Sequence, residues 1–416
     1  MRKKSQQYLT PNGWREVRLA ELFEFKNGLN KEKRFFGQGT PIVNYMDIYR
    51  GGYLIRDGLR GKVEVSDSEQ ARFSVKKGDV FFTRTSETLE EIGMVAVVVE
   101  EIPGAVFSGF VLRARPKDNL IDPKFASYSL CSSSARKEII RKGSYTTRAL
   151  TSGASLGKVK ILLPPIDEQK RIVQILETWS DAIRTLSVSV KYKETRLEGI
   201  KNKLLSGDFR LPGFSSPWHH FEIGNFATTI SRTNTKAIEY PVLSCTKYDG
   251  LVKSLEYFGR KIYGDDLSKY KVVNRGEFAY ATNHIEEGSL GFQNVCDTAL
   301  ISPMYTVFKT NSEKVDDRFI YLLLKTPRMI HHYQSNMSGS IARRGGLRWS
   351  VFATLPVFMP MKKEQTAIAD VIETAQKEIN VDKRKRTLLE KQQTQLLNDL
   401  VTGKLDTLQG RRNKKI

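Results

Sequence analysis

The chain has 416 residues, of which 40% are hydrophobic and 10% aromatic, so it can bury the cores of two or three domains and is not predominantly disordered. Lysine and arginine exceed aspartate and glutamate by 21 charges, which favours a polyanionic partner, either nucleic acid or an anionic membrane face. No apolar run approaches the roughly 18 residues of a membrane span, and the basic start lacks the apolar stretch of a signal peptide. Three widely separated cysteines, Cys131, Cys245 and Cys296, predict reduced thiols of a cytoplasmic protein and no metal site.

In chain order, a strand-rich segment is followed by a helix. The strand-like runs are VFFTRT (80–85), MVAVVV (94–99) and FVLRAR (110–115), and residues 121–140 are predicted to be helical. A matching series occurs later, in FAYAT (278–282), ISPMYTVF (301–308) and VDDRFIYLLLK (315–325). These patterns predict two mixed α+β domains.

The matching series belongs to an internal repeat. ILLPPIDEQKRI (161–172) aligns with VFMPMKKEQTAI (357–368) at an offset of 196, and the alignment continues to LLSGDF (204–209) and LVTGKL (400–405). Upstream, at drifting offsets, Gly78-Asp79-Val80 matches Gly276-Glu277-Phe278, and Trp14 matches Trp218. A period near 200 residues predicts two copies of a domain followed by a helix.

The better-matched part of each copy has the heptad spacing of a coiled coil. The predicted seam consists of Ile172, Leu176, Trp179, Ile183, Leu186, Val190, Leu197, Ile200 and Leu204 in one helix, and of Ile368, Ile372, Ile379, Leu389, Leu396 and Leu400 in the other. Polar Lys193, Asp382, Arg386 and Gln393 interrupt it. The alternative is that each helix packs only on its own domain.

Two windows without acidic residues occupy equivalent places in the repeats, 139–166 and 318–363. Each combines arginine and lysine with a loop rich in glycine and hydroxyl groups, the chemistry that phosphate oxygens require. A solvated basic surface is the alternative. Together with polar residues after strands and turns, the windows give these candidate DNA-binding residues: Tyr45, Asp47, Arg50, Arg84, Ser86, Arg141, Lys142, Tyr145 and Arg148 in the first copy, and Lys247, Tyr248, Tyr280, Asn283, His284, Arg343, Arg344 and Arg348 in the second.

A search for catalytic residues is negative. GASLGKV (153–159) is too short for a phosphate-binding loop and has Val159 where a magnesium-binding hydroxyl belongs. Glu168-Gln169-Lys170 resembles part of a nuclease site, but the repeat has Glu364-Gln365-Thr366, so a polar helix start is the better interpretation. The sequence predicts a DNA-binding protein without catalytic or metal-binding residues. A methyltransferase or nuclease in its own right and a basic coiled-coil scaffold are the alternatives.

The chain resembles, over essentially its whole length, the specificity subunit of type I restriction–modification enzymes. The resemblance rests on PNGWREVRLAELF (11–23), KKGDVFFTRT (76–85), LPPIDEQKRIVQIL (163–176) and the helix end LLSGDF, and on their repetition. The second copy departs from the pattern, with Met361-Lys362-Lys363 in place of Pro165-Ile166-Asp167.

The resemblance implies an α+β fold in which two target recognition domains are separated by two long antiparallel helices forming a coiled coil, with pseudo-twofold, cyclic organisation. The implied boundaries are 1–160 for the first recognition domain, 161–207 for the first helical region, 208–356 for the second domain, 357–405 for the second helical region and 406–416 for a basic tail. The implied partners are double-stranded DNA read at a bipartite site, two methyltransferase subunits, and restriction and translocase subunits, without a membrane. S-adenosylmethionine, ATP and Mg²⁺ would belong to the partner subunits.

Overall fold

The computed structural model describes residues 13–145, 148–337, 346–405 and 407. The chain divides into two compact units, the first built from residues 1–187 and 384–416 and the second from residues 188–383. Two long helices, α7 (Ile166–Ser206) and α12 (Lys362–Val401), each contribute residues to both units. Every helix in the described ranges is too short or too polar to cross a membrane.

The first unit is rich in short strands. They are β1 (Arg15–Arg18), β2 (Phe23–Asn27), β3 (Phe36–Val43), β4 (Gly52–Leu54), β5 (Lys62–Val63), β6 (Val80–Thr83), β7 (Thr85–Ser86), β8 (Val95–Val98), β9 (Val106–Phe107), β10 (Val111–Pro116), β11 (Ser144–Tyr145), β12 (Ala149–Leu150) and β13 (Lys160–Leu163). The largest sheet has the order β2-β10-β6-β8-β4, and smaller sheets have the orders β5-β3-β9, β11-β12-β7 and β1-β13. Strands β6 and β8 are buried at every position, because their β-branched and aromatic residues face a separate hydrophobic cluster on each side of the sheet.

Short helices flank these sheets. They are α1 (Leu19–Leu22), α2 (Tyr45–Tyr49), α3 (Asp67–Arg72), α4 (Pro123–Cys131), α5 (Ser133–Lys142) and α6 (Gly153–Gly157). The prediction of a single helix over 121–140 is wrong, because the segment forms two helices separated at Ser132. The extended backbone of Ser132 ends α4, and its side chain accepts a hydrogen bond from the Ala135 amide to cap α5.

The second unit repeats this arrangement with fewer strands. They are β14 (His219–Glu222), β15 (Ala227–Ile230), β16 (Leu243–Thr246), β17 (Gly250–Lys253), β18 (Lys271–Asn274), β19 (Phe278–Ala281), β20 (Leu290–Phe292), β21 (Thr298–Ile301), β22 (Tyr305–Thr310) and β23 (Pro356–Met359). Its helices are α8 (Ser254–Phe258), α9 (Asp317–Leu324), α10 (Pro327–Asn336) and α11 (Trp349–Phe352). The sheet order β15-β22-β19-β20 matches β2-β10-β6-β8, and the pair β14-β23 matches β1-β13. The run predicted over 301–308 is divided between β21 and β22 by a turn containing Pro303.

A glycine turn followed by a buried acid precedes the central strand in both units. Gly78 and Gly276 have φ angles of 92° and 84°, a region that other residues rarely adopt. The next residue, Asp79, pairs with Arg115 at 2.7 Å, and its counterpart Glu277 pairs with Arg232. The match between these two segments in the sequence therefore reflects a shared structural turn.

The Glu-Gln pair at the start of each long helix has the same structural role in both units. Glu168 accepts a hydrogen bond from the Trp14 indole at 3.0 Å, and Glu364 accepts one from the Trp218 indole at 3.4 Å. The adjacent glutamines are buried and bond to backbone groups. The interpretation of these residues as a polar helix start, rather than as nuclease residues, agrees with their contacts.

Within each unit, one part of α7 packs against one part of α12. In the first unit, Gln393 donates hydrogen bonds to the Leu176 carbonyl and the Ser180 hydroxyl. In the second, Lys193 pairs with Glu378 at 2.5 Å and with Asp382 at 2.8 Å. Three of the four side chains that interrupt the predicted seam therefore bond across the helix pair, whereas Arg386 pairs with Glu390 of its own helix. The α+β fold with two long packed helices is confirmed.

Candidate nucleic-acid interface

A cluster of cations forms one surface of the first unit. Arg18, Arg141, Lys142, Lys158 and Lys160, called here the basic cluster, line a cavity of about 270 Å³ together with Glu138. Pairing of β1 with β13 places Arg18 opposite Lys160, and the last turn of α5 supplies Arg141 and Lys142. Glu138 pairs with Arg141 at 2.6 Å and Glu16 pairs with Lys160 at 2.5 Å, so five cations and two carboxylates leave this surface positive, as an anion requires.

A second feature of the first unit is a cavity of about 390 Å³, called here the aromatic cavity. It is lined by Tyr45, Met46, Tyr49, Thr85, Ser86, Glu87, Glu91, Phe110 and Arg148. Helix α2, strand β7 and the hairpin β11-β12 bring these separated residues together, since β12 pairs with β7. The rings of Tyr45 and Tyr49 stack with their centroids 5.8 Å apart. Three predicted DNA-binding residues, Tyr45, Ser86 and Arg148, therefore share one concave surface.

The polar wall of the aromatic cavity is held by hydrogen bonds. Ser86 donates to one carboxylate oxygen of Glu91 at 2.7 Å, and the Tyr49 hydroxyl donates to the other at 2.9 Å. These two bonds, with that from Ser86 the larger cause, lower the pKa of Glu91 below its ordinary value. Glu91 therefore stays ionised at neutral pH and fixes the side chain of Ser86.

The remaining predicted residues of this unit differ in availability. Tyr145 and Arg50 are exposed near the aromatic cavity, on β11 and at the end of α2. Arg84 is half-buried between β6 and β7. Asp47 accepts a hydrogen bond from the Asn44 amide at 2.8 Å and so caps α2. This bond gives the Asp47 carboxylate a structural role.

In the second unit, the candidate residues lie around two turns. Lys247 and Tyr248 occupy the exposed turn between β16 and β17, where the Lys247 ammonium is 5.3 Å from the Tyr248 ring centroid. They line a cavity of about 770 Å³ that also contacts Glu286 and Glu287, on the turn that follows Asn283 and His284. Of these last two, His284 is exposed and Asn283 is half-buried.

The same turn carries a group of possible metal ligands. Among the described residues, the ligand atoms of His284, Glu286 and Glu287 lie within 4.8 Å of one another. Exposed acidic groups of this kind are common without an ion. The sequence analysis predicted no metal site.

Tyr280 requires a correction. Its side chain is fully buried, its ring stacks on Phe352, and its hydroxyl donates to the Leu347 carbonyl at 3.1 Å. A residue buried in this way belongs to the core and cannot contact a base edge. Arg348 is exposed at the start of α11, whereas Arg343 and Arg344 lie outside the described residues.

The cations of the two acid-free windows differ in the groups that they pair with. In the second, Arg318 pairs with Asp316 at 2.8 Å and with Asp370 at 2.7 Å, and Lys325 donates to the Lys247 carbonyl at 2.9 Å. The acids lie just outside the window in sequence but adjacent to it in space. In the first window, most cations belong to the basic cluster.

The predicted seam residues lie in the helices at two levels of burial. Buried ones are Ile172, Leu176, Val190, Leu197, Leu204, Ile368, Ile372, Ile379 and Leu400, and partly exposed ones are Trp179, Ile183, Leu186, Ile200, Leu389 and Leu396. Burial is most complete near the ends of each helix, where the adjoining domain core adds contacts.

Sequence reasoning missed Arg18, Met46, Glu87 and Phe110. Arg18 precedes the first acid-free window by more than a hundred residues and joins the basic cluster only through strand pairing. Glu87 was missed because nothing in the sequence places it beside Arg148, which it meets only through the pairing of β7 with β12. For Phe110, the signal in the sequence is the preceding Gly109, since glycine marks turns and loops and these lie on the surface.

Comparisons with known proteins agree with this architecture. A model of the type I restriction modification DNA specificity domain matches residues 11–189. The chain is 22% identical over 419 residues to the type I restriction enzyme MjaVIII specificity subunit of Methanocaldococcus jannaschii, covering 95% of this chain and 93% of that protein. It is 28% identical over 192 residues to the EcoKI specificity subunit of Escherichia coli, covering 45% and 40% of the two chains.

The fold is similar to that of solved specificity subunits. The HsdS subunit from Thermoanaerobacter tengcongensis has a TM-score of 0.57 at 17% identity, with 96% of this chain and 99% of that chain covered. A chain of a type I restriction–modification system has a TM-score of 0.61 at 17% identity, with 96% and 100% covered. The matching domain is a DNA specificity domain, and the curated relatives are specificity subunits. The matching domain model, the curated relatives and the solved structures all support a specificity subunit of a type I restriction–modification enzyme.

Proposed function

We propose that this subunit reads a bipartite DNA site, with one half-site bound by each unit, and that it docks the methyltransferase and restriction subunits that act on that DNA. The basic cluster is the observation that carries this proposal. Phosphate binding needs several cations on one surface with few competing carboxylates, and the basic cluster provides five cations beside two carboxylates, Glu138 and Glu16.

Base reading in the first unit is assigned to the aromatic cavity, with Tyr45, Ser86 and Arg148 as contacts. In the second unit it is assigned to Lys247, Tyr248, Asn283, His284 and Arg348, with Arg343 and Arg344 as further candidates from the sequence. Arginine and asparagine side chains suit guanine and adenine edges in the major groove. The repeat supports two half-sites, because each copy supplies its own sheet and its own set of turns.

The outer face of the helix pair is assigned to partner docking. In the second unit, the Lys193–Asp382 pair places Tyr192 of α7 and Val381 of α12 at the same level, and both side chains are more than 60% exposed. Val188, one turn before Tyr192, is also exposed. A methyltransferase subunit is the expected occupant, since solvent-exposed apolar residues on helices favour a protein partner over DNA. Two such subunits, together with the restriction and translocase subunits, would hold the S-adenosylmethionine, ATP and Mg²⁺ of the reaction in the cytoplasm.

The decisive experiment neutralises the basic cluster. We expect Arg141→Gln with Lys142→Gln to weaken DNA binding and to lower the slope of log affinity against log salt by about two, roughly one for each lost phosphate contact. The matched control is Lys76→Gln with Lys77→Gln, two exposed lysines in the turn before β6. Equal slopes for the two variants, with circular dichroism confirming folding, would contradict the assignment.

Assays of the purified chain also distinguish the two alternative functions, an independent methyltransferase or nuclease and a basic coiled-coil scaffold. Methyl transfer or cleavage by the purified chain alone would support an independent enzyme. DNA affinity without a salt dependence, or no DNA affinity, would support a basic coiled-coil scaffold.

A further inference from the structure

We propose that Glu87 reads a base in the half-site bound by the first unit. Its carboxylate accepts a hydrogen bond from an exocyclic amino group at the major-groove edge, cytosine N4 or adenine N6, while Arg148 beside it donates to a neighbouring base. This inference rests on the proposed function, because it requires the first unit to bind DNA.

The position of Glu87 suits this role. Its side chain is 74% exposed at the rim of the aromatic cavity, and it lies 3.2 Å from the Arg148 guanidinium, whose side chain is 64% exposed. The pairing of β7 with β12 sets Ser86 opposite Ala149, which places the adjoining residues Glu87 and Arg148 side by side. An acceptor and a donor therefore project together from the end of the β7–β12 pair.

Stability does not explain this ion pair. A salt bridge between two exposed side chains contributes about 0–1 kcal/mol. A carboxylate on a basic unit also repels phosphates, so its presence at a DNA-binding surface weakens non-specific binding. A hydrogen bond from a base amino group to the carboxylate offsets that repulsion. Guanine O6 and thymine O4 are acceptors, and an ionised carboxylate has no proton to donate to them. Glu87 thus selects cytosine or adenine.

Neighbouring residues hold and desolvate the pair. Glu91 bonds to Ser86, the residue before Glu87, and so acts as a positioning residue for this segment. Met46 and Phe110 line the same cavity with largely exposed apolar side chains. When DNA covers them, water leaves the rim and the hydrogen bonds of Glu87 become stronger.

The test uses the full chain assembled with its methyltransferase subunit. Sequencing of methylated DNA first defines the motif of the wild-type complex, and binding is then measured on the cognate duplex and on duplexes substituted at single positions. The variants are Glu87→Ala and Glu87→Gln, and the control is Glu90→Gln, an exposed carboxylate three residues away that does not line the cavity.

We expect Glu87→Ala to reduce discrimination at one position of one half-site by roughly 5- to 150-fold, the range for loss of a base contact. The salt slope should not fall, because no phosphate contact is lost. Glu87→Gln shows whether Glu87 contacts cytosine or adenine, because the glutamine amide suits adenine N6 and N7. If Glu87 reads cytosine, the preferred base at that position should change towards adenine. If it reads adenine, the preference for adenine should be kept. Glu90→Gln should leave the motif unchanged.

Unchanged discrimination in Glu87→Ala would overturn the inference. So would an equal loss of affinity for cognate, substituted and unrelated DNA, because that pattern indicates a structural role. Both variants must match the wild-type melting temperature, and should Glu87→Ala fail to do so, the base preference of Glu87→Gln decides. A wild-type complex that methylates no two-part motif would instead refute the proposed function.

Discussion

Gln169 and Gln365 should be among the most sensitive polar positions in this protein. The side-chain oxygen of Gln169 accepts from the Asp122 amide at 2.8 Å, and its nitrogen donates to the Pro164 carbonyl at 2.8 Å and the Leu120 carbonyl at 2.9 Å. Gln365 repeats the first two bonds, with the Asp316 amide at 2.9 Å and the Pro360 carbonyl at 2.8 Å. Both glutamines are at most 1% exposed. Each one therefore ties a strand end and a helix start to a long helix.

Replacing Gln169 with leucine preserves the volume and removes all three bonds. Leu120 is exposed, so its carbonyl can return to water, but the Pro164 carbonyl loses its partner at a buried site and the Asp122 backbone amide loses its partner at a half-buried one. Each unsatisfied group costs about 1–3 kcal/mol, so we expect Gln169→Leu to lower the free energy of unfolding of the first unit by about 2–6 kcal/mol. At a urea m-value of about 3 kcal/mol/M, the midpoint moves down by roughly 0.7–2 M.

The assay is urea unfolding monitored together with hydrogen exchange, which assigns the loss to one unit. Gln365→Leu should destabilise the second unit by a similar amount, so each variant serves as a control for the other. Gln174→Leu, at an exposed position of α7, is the matched surface control and should change stability by less than about 0.5 kcal/mol. A midpoint for Gln169→Leu equal to that of Gln174→Leu would refute the reasoning.

Two further predictions concern the repeat. Trp14 and Thr407 both bond to Glu168, at 3.0 and 3.5 Å, which holds the two terminal segments of the first unit together. A circular permutant that joins residue 416 to residue 1 and opens the chain between Pro212 and Gly213 should therefore fold and, with its partner subunits, methylate the wild-type motif. An insoluble product would contradict the cyclic organisation. Inserting one heptad after Val190 and one after Arg386 preserves the seam and adds about 10.5 Å to each helix, so the methylated motif should keep its half-sites and gain one to three base pairs in the gap. An active variant with the original gap would show that the helices do not set the spacing.

Much of the fold could be predicted because its signals are local. Heptad spacing located both long helices within a few residues, and runs such as Val95–Val98 are apolar at every position because both faces of the sheet are covered. The helix break at Ser132 was missed because serine is tolerated within a helix as well as at its start. Only the extended backbone at this residue distinguishes the two roles.

The candidate site was less predictable, because its members meet through strand pairing. Arg148 and Glu87 are far apart in sequence and adjacent in space only because β12 pairs with β7. Tyr280 was selected because it lies near the end of a predicted strand, but its residue type does not show whether the side chain faces the core or the surface. Alternation along β19 cannot decide between them, since all four residues of that strand are buried.

The two acid-free windows show why a charge pattern must be tested against its spatial neighbours. Arg318 has no acid within its window, yet Asp316 and Asp370 satisfy it, one from the preceding helix cap and the other from α12. A guanidinium held by two carboxylates is neutralised locally and attracts a phosphate only weakly. In the basic cluster, Arg141 pairs with Glu138 at 2.6 Å and Lys160 with Glu16 at 2.5 Å, which leaves three of the five cations without a carboxylate of the cluster beside them. Among the described residues, the cations of equivalent windows are therefore paired differently in the two units, and the spatial neighbours of each cation decide whether it can contribute to the salt-dependent affinity for DNA.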